Sequence, residues 1–347
     1  MIKEIELTCY RLNKLGIYSN EHEAYLSPKK LMRELKKWAF DSNKPLVETK
    51  TFDSNSQTLE AYCLDFYEHD GDYILGLWNK VSTSVRGVGS VRKNATPVTV
   101  TVSHAKIDKD SIPGFPTYFY ISPKKNLIAP IKLDLKQNGI LQFRNYIKGY
   151  LKFYSSHIVD RVDGKTKIRG LCKTSSIGLD VDNRFPDKNA HVLVTFAIDI
   201  KKTNKQYFID NAQKITKVVK DLSKEDVVID EQQTCIERIV RAFEDLPMTK
   251  EKPSRITVPV NLNQDYVEKL FKSYEDNGAS DEYNIGFKLI GDNKIRWMSG
   301  TANVVKLKGE INFHEVDKPN LESLMKLIKK AGVTLSDENR DQQKDVA

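Results

Sequence analysis

The chain has 347 residues, 39% apolar and 29% charged, with 55 lysines and arginines against 47 carboxylates, a net charge of +8. That length accommodates two cores, and no apolar run approaches the roughly 20 residues of a membrane-spanning helix. The polar start, Met1-Ile2-Lys3-Glu4, is unlike a signal peptide, and four scattered cysteines (Cys9, Cys63, Cys172, Cys235) lack paired spacing, which argues against zinc and for a reducing cytoplasm.

Ile2 to Tyr10 alternates apolar and polar residues and predicts a strand. Ser27-Pro28 supplies an N-cap and a first-turn proline for a helix whose apolar stripe is Leu31, Leu35, Trp38 and Ala39. Its other face is basic: Lys29, Lys30, Arg33, Lys36 and Lys37. Leu46 to Phe52 reads as a short strand. Ala61 to Tyr67 and Asp72 to Trp78 predict a hairpin, with Asp70-Gly71 providing the positive φ values of its turn. Asn79 to Asn94 is rich in Ser, Gly and Val and carries Arg86, Arg92 and Lys93 with no acid. Thr96 to Val102, Thr117 to Ile121 and Leu127 to Leu133 read as further strands. Gly139 to Ser155 has helical spacing, with Phe143, Ile147, Tyr150, Leu151 and Tyr154 on one side. Asp160 to Lys173 mixes turn residues and strand formers, as a mobile basic hairpin or loop would.

The pattern restarts after Asp180. His191 to Ile200 is an apolar strand. Phe208, Ile215, Val218, Val219 and Leu222 match one helix face, and Ile236, Ile239, Val240 and Phe243 another. Arg255 to Val260 reads as a strand, and Tyr266 to Tyr274 as a helix ending near Asn277-Gly278. Glu282 to Ile290 and Lys294 to Met298 form a hairpin across Gly291-Asp292. Ala302 to Lys308 is a strand, and Pro319 opens a last helix through Leu321, Leu324, Met325 and Ile328. Regular strand–helix–strand alternation is absent. The expected class is α+β with mainly antiparallel sheets. Two domains are expected, 1–175 and 176–335, with a boundary in Ser175 to Lys188 and a disordered tail over 336–347.

Charge is concentrated. Leu135 to Lys173 holds nine basic residues (Lys136, Arg144, Lys148, Lys152, Arg161, Lys165, Lys167, Arg169, Lys173) against Asp160 and Asp163, a net of +7. Arg144, Lys148 and Lys152 recur every four residues, so a helix stacks them in one ridge. A solvated helix face mixes signs to gain i,i+4 pairs, whereas this segment has no acid from Leu135 to Val159. Such a footprint belongs to a polyanion-binding surface, nucleic acid being the commonest partner. Lysine and arginine there neutralise phosphates, which gives steep salt dependence and little base specificity. Arg86, Arg92 and Lys93 on a glycine-containing stretch form a second phosphate-binding candidate, although the Gly-Lys-Ser/Thr ending of a P-loop is missing.

Catalytic alternatives rest on less. Asp41 with Glu48-Thr49-Lys50 matches the acid, then Glu-x-Lys pattern of restriction-type nucleases, which hold Mg²⁺ between carboxylates. Asp180, Asp182 and Asp187 form a second acidic group, and the six histidines show no ligand spacing. No cofactor is implied. The basic face also suits a third role, an adaptor that meets an acidic phage protein.

Asp108 to Tyr120 reads D-K-D-S-I-P-G-F-P-T-Y-F-Y. Ser111, Gly114-Phe115-Pro116 and the aromatic strand after them resemble RexA-type prophage exclusion proteins. The preceding strand, helix and Asp-Gly hairpin are similar too, so the resemblance covers the first half of the chain. It implies an RdgC-like DNA-binding fold, sequence-nonspecific binding of double-stranded DNA, a homodimer, and a membrane-protein partner in phage exclusion. It carries over no catalytic residue.

Overall fold

The computed structural model describes residues 2–19, 23–41, 44–54, 59–81, 88–90, 103–105, 111–133, 139–163, 166–173, 175–176, 185–221, 255–277, 285–292, 294–315 and 318–336. β1 (Ile2–Thr8) is followed by β2 (Tyr10–Ser19), and β3 (Glu23–Leu26) folds back along β2. α1 (Pro28–Lys36) starts at the expected proline. Its N-cap Ser27 is extended but makes no side-chain cap bond, so the fixed φ of Pro28 starts this helix. A π-turn over Lys37–Asp41 continues it. β4 (Ala61–His69) and β5 (Asp72–Lys80) form the expected hairpin, with Asp70 at φ 53° and Gly71 at φ 77°, the left-handed pair of a type I′ turn. The short β6 (Val88–Ser90) and β7 (Ser103–Ala105) pair with each other. β8 (Gly114–Ser122), β9 (Leu127–Lys132), α2 (Ile140–Phe153) and the hairpin of β10 (Ile158–Asp163) with β11 (Thr166–Leu171) follow.

Next come β12 (Ala190–Ile198), α3 (Lys202–Asp210), β13 (Ile215–Asp221), β14 (Arg255–Pro259), α4 (Gln264–Asn277), β15 (Ile285–Leu289) and β16 (Arg296–Trp297). β17 (Val304–Glu310), β18 (Phe313–Glu315), β19 (Lys318–Pro319) and α5 (Leu321–Lys330) complete the described chain.

The architecture is α+β with antiparallel sheets. The large sheet runs β12-β2-β9-β8-β5-β4, with β1 joining β9 to β17. β14-β13-β15-β16 form a second sheet. Strand periodicity of two sends alternate side chains to opposite faces of the large sheet. From β5 and β8, Tyr73, Leu75, Leu77, Phe119 and Ile121 enter the core under α1 and α2. Ile74, Tyr118 and Tyr120 enter the core under α5. Because both faces are covered, the central strands are apolar without alternation.

α5 is also tied by charge. Lys329 Nζ lies 2.5 Å from Asp72 Oδ2, and the Tyr120 hydroxyl donates to the same carboxylate at 2.8 Å. Buried Asp199 accepts from Asn303 Nδ2 and from the Ser336 amide, each at 2.8 Å, which ties the end of β12 to the segment after α5.

Several expected elements are corrected, while the division into two domains is left untested. Leu46 to Phe52 is not a strand: Leu46–Thr49 is a 3₁₀ turn closed by Thr49 Oγ1 donating to Leu46 O at 2.6 Å. The apolar series Phe208 to Leu222 is not one helix. α3 ends where Asn211 Nδ2 caps Tyr207 O at 2.8 Å, and Ile215, Val218 and Val219 belong to β13, a strand paired on both sides. The last helix is capped by Asn320, whose side chain accepts from the Ser323 amide, and Pro319 belongs to β19. β12, β17 and α5 build onto the sheet of the first half, so that sheet takes strands from both sides of the expected boundary at Ser175 to Lys188. The expected strand Thr96 to Val102, the helix through Ile236 and Phe243, and the tail beyond Ser336 lie outside the described residues.

Candidate nucleic-acid interface

α2 is pinned along one side, and this fixes what its other side presents. Ile140, Phe143, Tyr146, Ile147, Tyr150 and Leu151 are buried. Tyr146 OH donates to Thr49 O and Thr51 Oγ1 donates to Tyr146 O, both at 2.8 Å. Gly149 lets the two segments meet, because a Cβ there would lie 2.2 Å from Thr51 O. Lys148 and Lys152 therefore project from a rigid helix, and both are exposed.

The ridge expected from spacing divides in two. Arg144 is half-buried, with its guanidinium 4.5 Å from the ring centre of Phe196 on β12, and desolvation lowers its pKa. It clamps α2 to the sheet. Lys148 and Lys152 meet no carboxylate among the described residues. Partial desolvation lowers the Lys148 pKa, and the like charges of Arg144 and Lys152 add to the shift.

At the C-terminal end of α2 the β10–β11 hairpin folds back on the helix. Arg169 Nη2 donates to Phe153 O at 3.1 Å, where the carbonyl end of the helix dipole favours a cation. The same guanidinium lies over the Phe153 ring at 5.8 Å and pairs with Asp160 at 3.6 Å. The Cys172 amide donates to His157 O at 2.8 Å, which closes the base of the hairpin. Lys173 is paired with Glu23 at 2.9 Å and lies over Tyr25. Register sets Arg161 opposite Ile168 and Lys167 opposite Val162, on adjacent rungs. Lys165, Lys136, Arg86, Arg92 and Lys93 lie outside the described residues, as do the side chains of Arg161 and Lys167.

The fold adds residues that the charge run does not contain. α1 lies beside the end of α2: Ser156 Oγ donates to Glu34 at 2.7 Å, and Trp38 packs 5.2 Å from Tyr150 and 4.9 Å from Tyr154. Lys44 sits 4.4 Å over the Trp38 ring, and desolvation there lowers its pKa. Lys30 and Lys37, four residues before and three after Glu34, share its face and are exposed. The basic face of α1 was legible as composition, but its placement beside α2 needed the tertiary structure. Tyr154 corrects the expected apolar stripe. It lies one residue past the helix at φ −131° and is 43% exposed.

Carboxylates are not gathered for catalysis here. Among the described residues no three His, Cys, Asp or Glu side chains come together to hold a metal ion. In the nuclease-like pattern, Glu48 is exposed and Lys50 is held by Asp53 at 2.7 Å and Glu60 at 3.6 Å, while the Asp41 side chain lies outside the described set. No described helix is long and apolar enough to cross a membrane. No family model matches the chain, nor does any curated protein or solved structure.

Proposed function

We propose that this protein binds DNA without sequence preference, through the face built by α2, the β10–β11 hairpin and α1. The observation that carries the reading is Lys148 and Lys152 held outward on a pinned helix with no described carboxylate to pair them. Unpaired like charges one helical turn apart destabilise the free protein, and phosphates relieve that repulsion. Exposed Lys30, Lys37 and Arg169 extend the face. Its described groups are lysine point charges and a guanidinium, which suit phosphates and so position a backbone without reading its sequence. A cytoplasmic dimer acting in phage exclusion with a membrane partner is the setting implied by the RexA-type resemblance, and it forms part of the proposal.

Charge reversal of Lys148→Glu with Lys152→Glu tests the reading. Fluorescence anisotropy with labelled DNA should show binding lost at moderate salt, while a cooperative thermal melt shows the variant still folded. Unchanged affinity in the double variant would remove these residues from the site. Binding displaced equally well by polyglutamate would favour an acidic protein partner instead.

A further inference from the structure

Two half-exposed aromatic rings lie at the C-terminal end of α2, beside this basic face. Phe153 is 52% exposed and Tyr154 is 43% exposed, whereas Ile140, Phe143, Tyr146, Ile147, Tyr150 and Leu151 of α2 are buried. Neither ring completes the core. Phe153 points away from the buried stripe, and its ring meets the Arg169 guanidinium. Tyr154 rests one face toward Trp38, which in turn carries Lys44 on its ring. The rings follow Lys152 in sequence, with the Arg169 guanidinium against the first and Lys44 on the tryptophan behind the second, so both rings at the end of α2 have a cation close by. A site that grips only the phosphates of a duplex has no use for exposed rings, because duplex bases are stacked inside the helix. Aromatic faces interleaved with lysine and arginine are what unpaired bases require, since every base offers a π-face and its phosphate a charge.

We infer that this face takes single-stranded DNA, with bases stacked on Phe153 and Tyr154 and flanking phosphates held by Lys148, Lys152 and Arg169. The inference rests on the DNA-binding reading and specifies its ligand. Arg169 has a double part in it: its guanidinium sits on the Phe153 ring and holds the Phe153 carbonyl, so the hairpin fixes the orientation of the first ring. Trp38 backs the second ring in the same way. Both rings are thus set before a strand arrives, which spares ordering entropy on binding.

The experiment uses the full chain and three labelled probes of equal length: oligothymidylate, an abasic phosphodiester strand, and a duplex. Stacking contributes about 5- to 150-fold in affinity per base. Oligothymidylate should therefore bind at least 5-fold more tightly than the abasic strand, and more tightly than the duplex. Phe153→Ala with Tyr154→Ala should abolish the difference while leaving abasic binding unchanged, which also shows that the variant is folded. Phe153→Leu should lose its share, and Tyr154→Phe should keep its own. Equal binding of oligothymidylate and abasic strand by the unaltered protein overturns the inference and leaves the DNA-binding reading standing. So does a double alanine variant that weakens both probes alike. Absence of binding to all three probes overturns both.

Discussion

Replacing Lys148 and Lys152 by glutamine removes two charges and little else, because neither makes a described ion pair and both are exposed. The effect is best read from the salt dependence of binding. Each phosphate neutralised on a duplex contributes about 0.9 to the slope of log K against log salt, and about 0.7 on a single strand. The double variant should therefore lose about 1.8 from the slope on duplex, or about 1.4 on a single strand. Across a fourfold rise from 50 to 200 mM salt, the unaltered protein should weaken about 12-fold more than the variant on duplex and about 7-fold more on a single strand. Arg144 supplies the internal control. It belongs to the same sequence ridge, but its guanidinium is committed to Phe196. Arg144→Gln should leave the slope where it is. Arg169 lies between these cases, since it must first leave Asp160, an exposed pair of the kind worth about 0–1 kcal/mol. Anisotropy titrations at four or five salt concentrations measure these two variants and Arg169→Gln. If the lysine pair and Arg144 give the same slope, burial does not sort the ridge and the reasoning fails.

Two further predictions concern the frame that holds this face. Asp72→Asn keeps an acceptor for Tyr120 but loses the charge facing Lys329, and should cost about 1.5–3 kcal/mol at pH 7 in a urea melt. Desolvation raises the Asp72 pKa, but Lys329 and the Tyr120 hydrogen bond outweigh it and the net shift is downward. Stability from a carboxylate with a lowered pKa is full above its unfolded value near ~4 and is lost as pH falls through the folded value. The gap between the two proteins should therefore narrow in acid, and a gap equal at pH 7 and pH 3 would contradict the assignment. Gly149→Ala gains helix propensity but drives a Cβ to 2.2 Å from Thr51 O, so it should destabilise by about 1–3 kcal/mol. A variant as stable as the parent would show that the Thr51 segment yields freely.

Where one principle dominates locally, the chain could be read directly. Asp70-Gly71 specifies its turn through positive φ, and Pro28 starts α1. Competing principles hid the rest. β2 runs ten residues, yet only its first residue was expected in a strand. Its buried positions do not alternate, because its pairing with β12 shifts register between Thr195 and Phe196. Val218 and Val219, adjacent in β13, are both buried, and with Ile215 that spacing imitates a helix. The lysine ridge was legible because charge and spacing suffice for it. Its exposed rings were not, since Phe153 and Tyr154 are indistinguishable from core residues until the helix end is known. The α1 contribution depends on a contact between Glu34 and Ser156, 122 positions apart, which no local pattern encodes.

The lysine ridge also connects folding to binding. A lysine with a lowered pKa is held in a fold that disfavours its charged form. Between the lowered value and the usual value near ~10.4, the unfolded chain holds more protons at Lys148 than the folded chain does. Stability from this residue therefore rises with pH across that window. Desolvation lowers the Lys148 pKa first and the charges of Arg144 and Lys152 lower it further, with no described carboxylate paired to it. A phosphate laid across Lys148 has the opposite effect and raises its pKa. Binding must then take up protons in the same window, and affinity must fall as pH rises through the lowered value. Calorimetry at a series of pH values approaching the usual lysine pKa from below, in pairs of buffers of different ionisation enthalpy, would detect the uptake. Lys148→Arg keeps the charge at every accessible pH, so it should bind without the proton uptake and hold its affinity in alkali. Should the arginine variant take up as many protons as the parent, Lys148 is not under the phosphate.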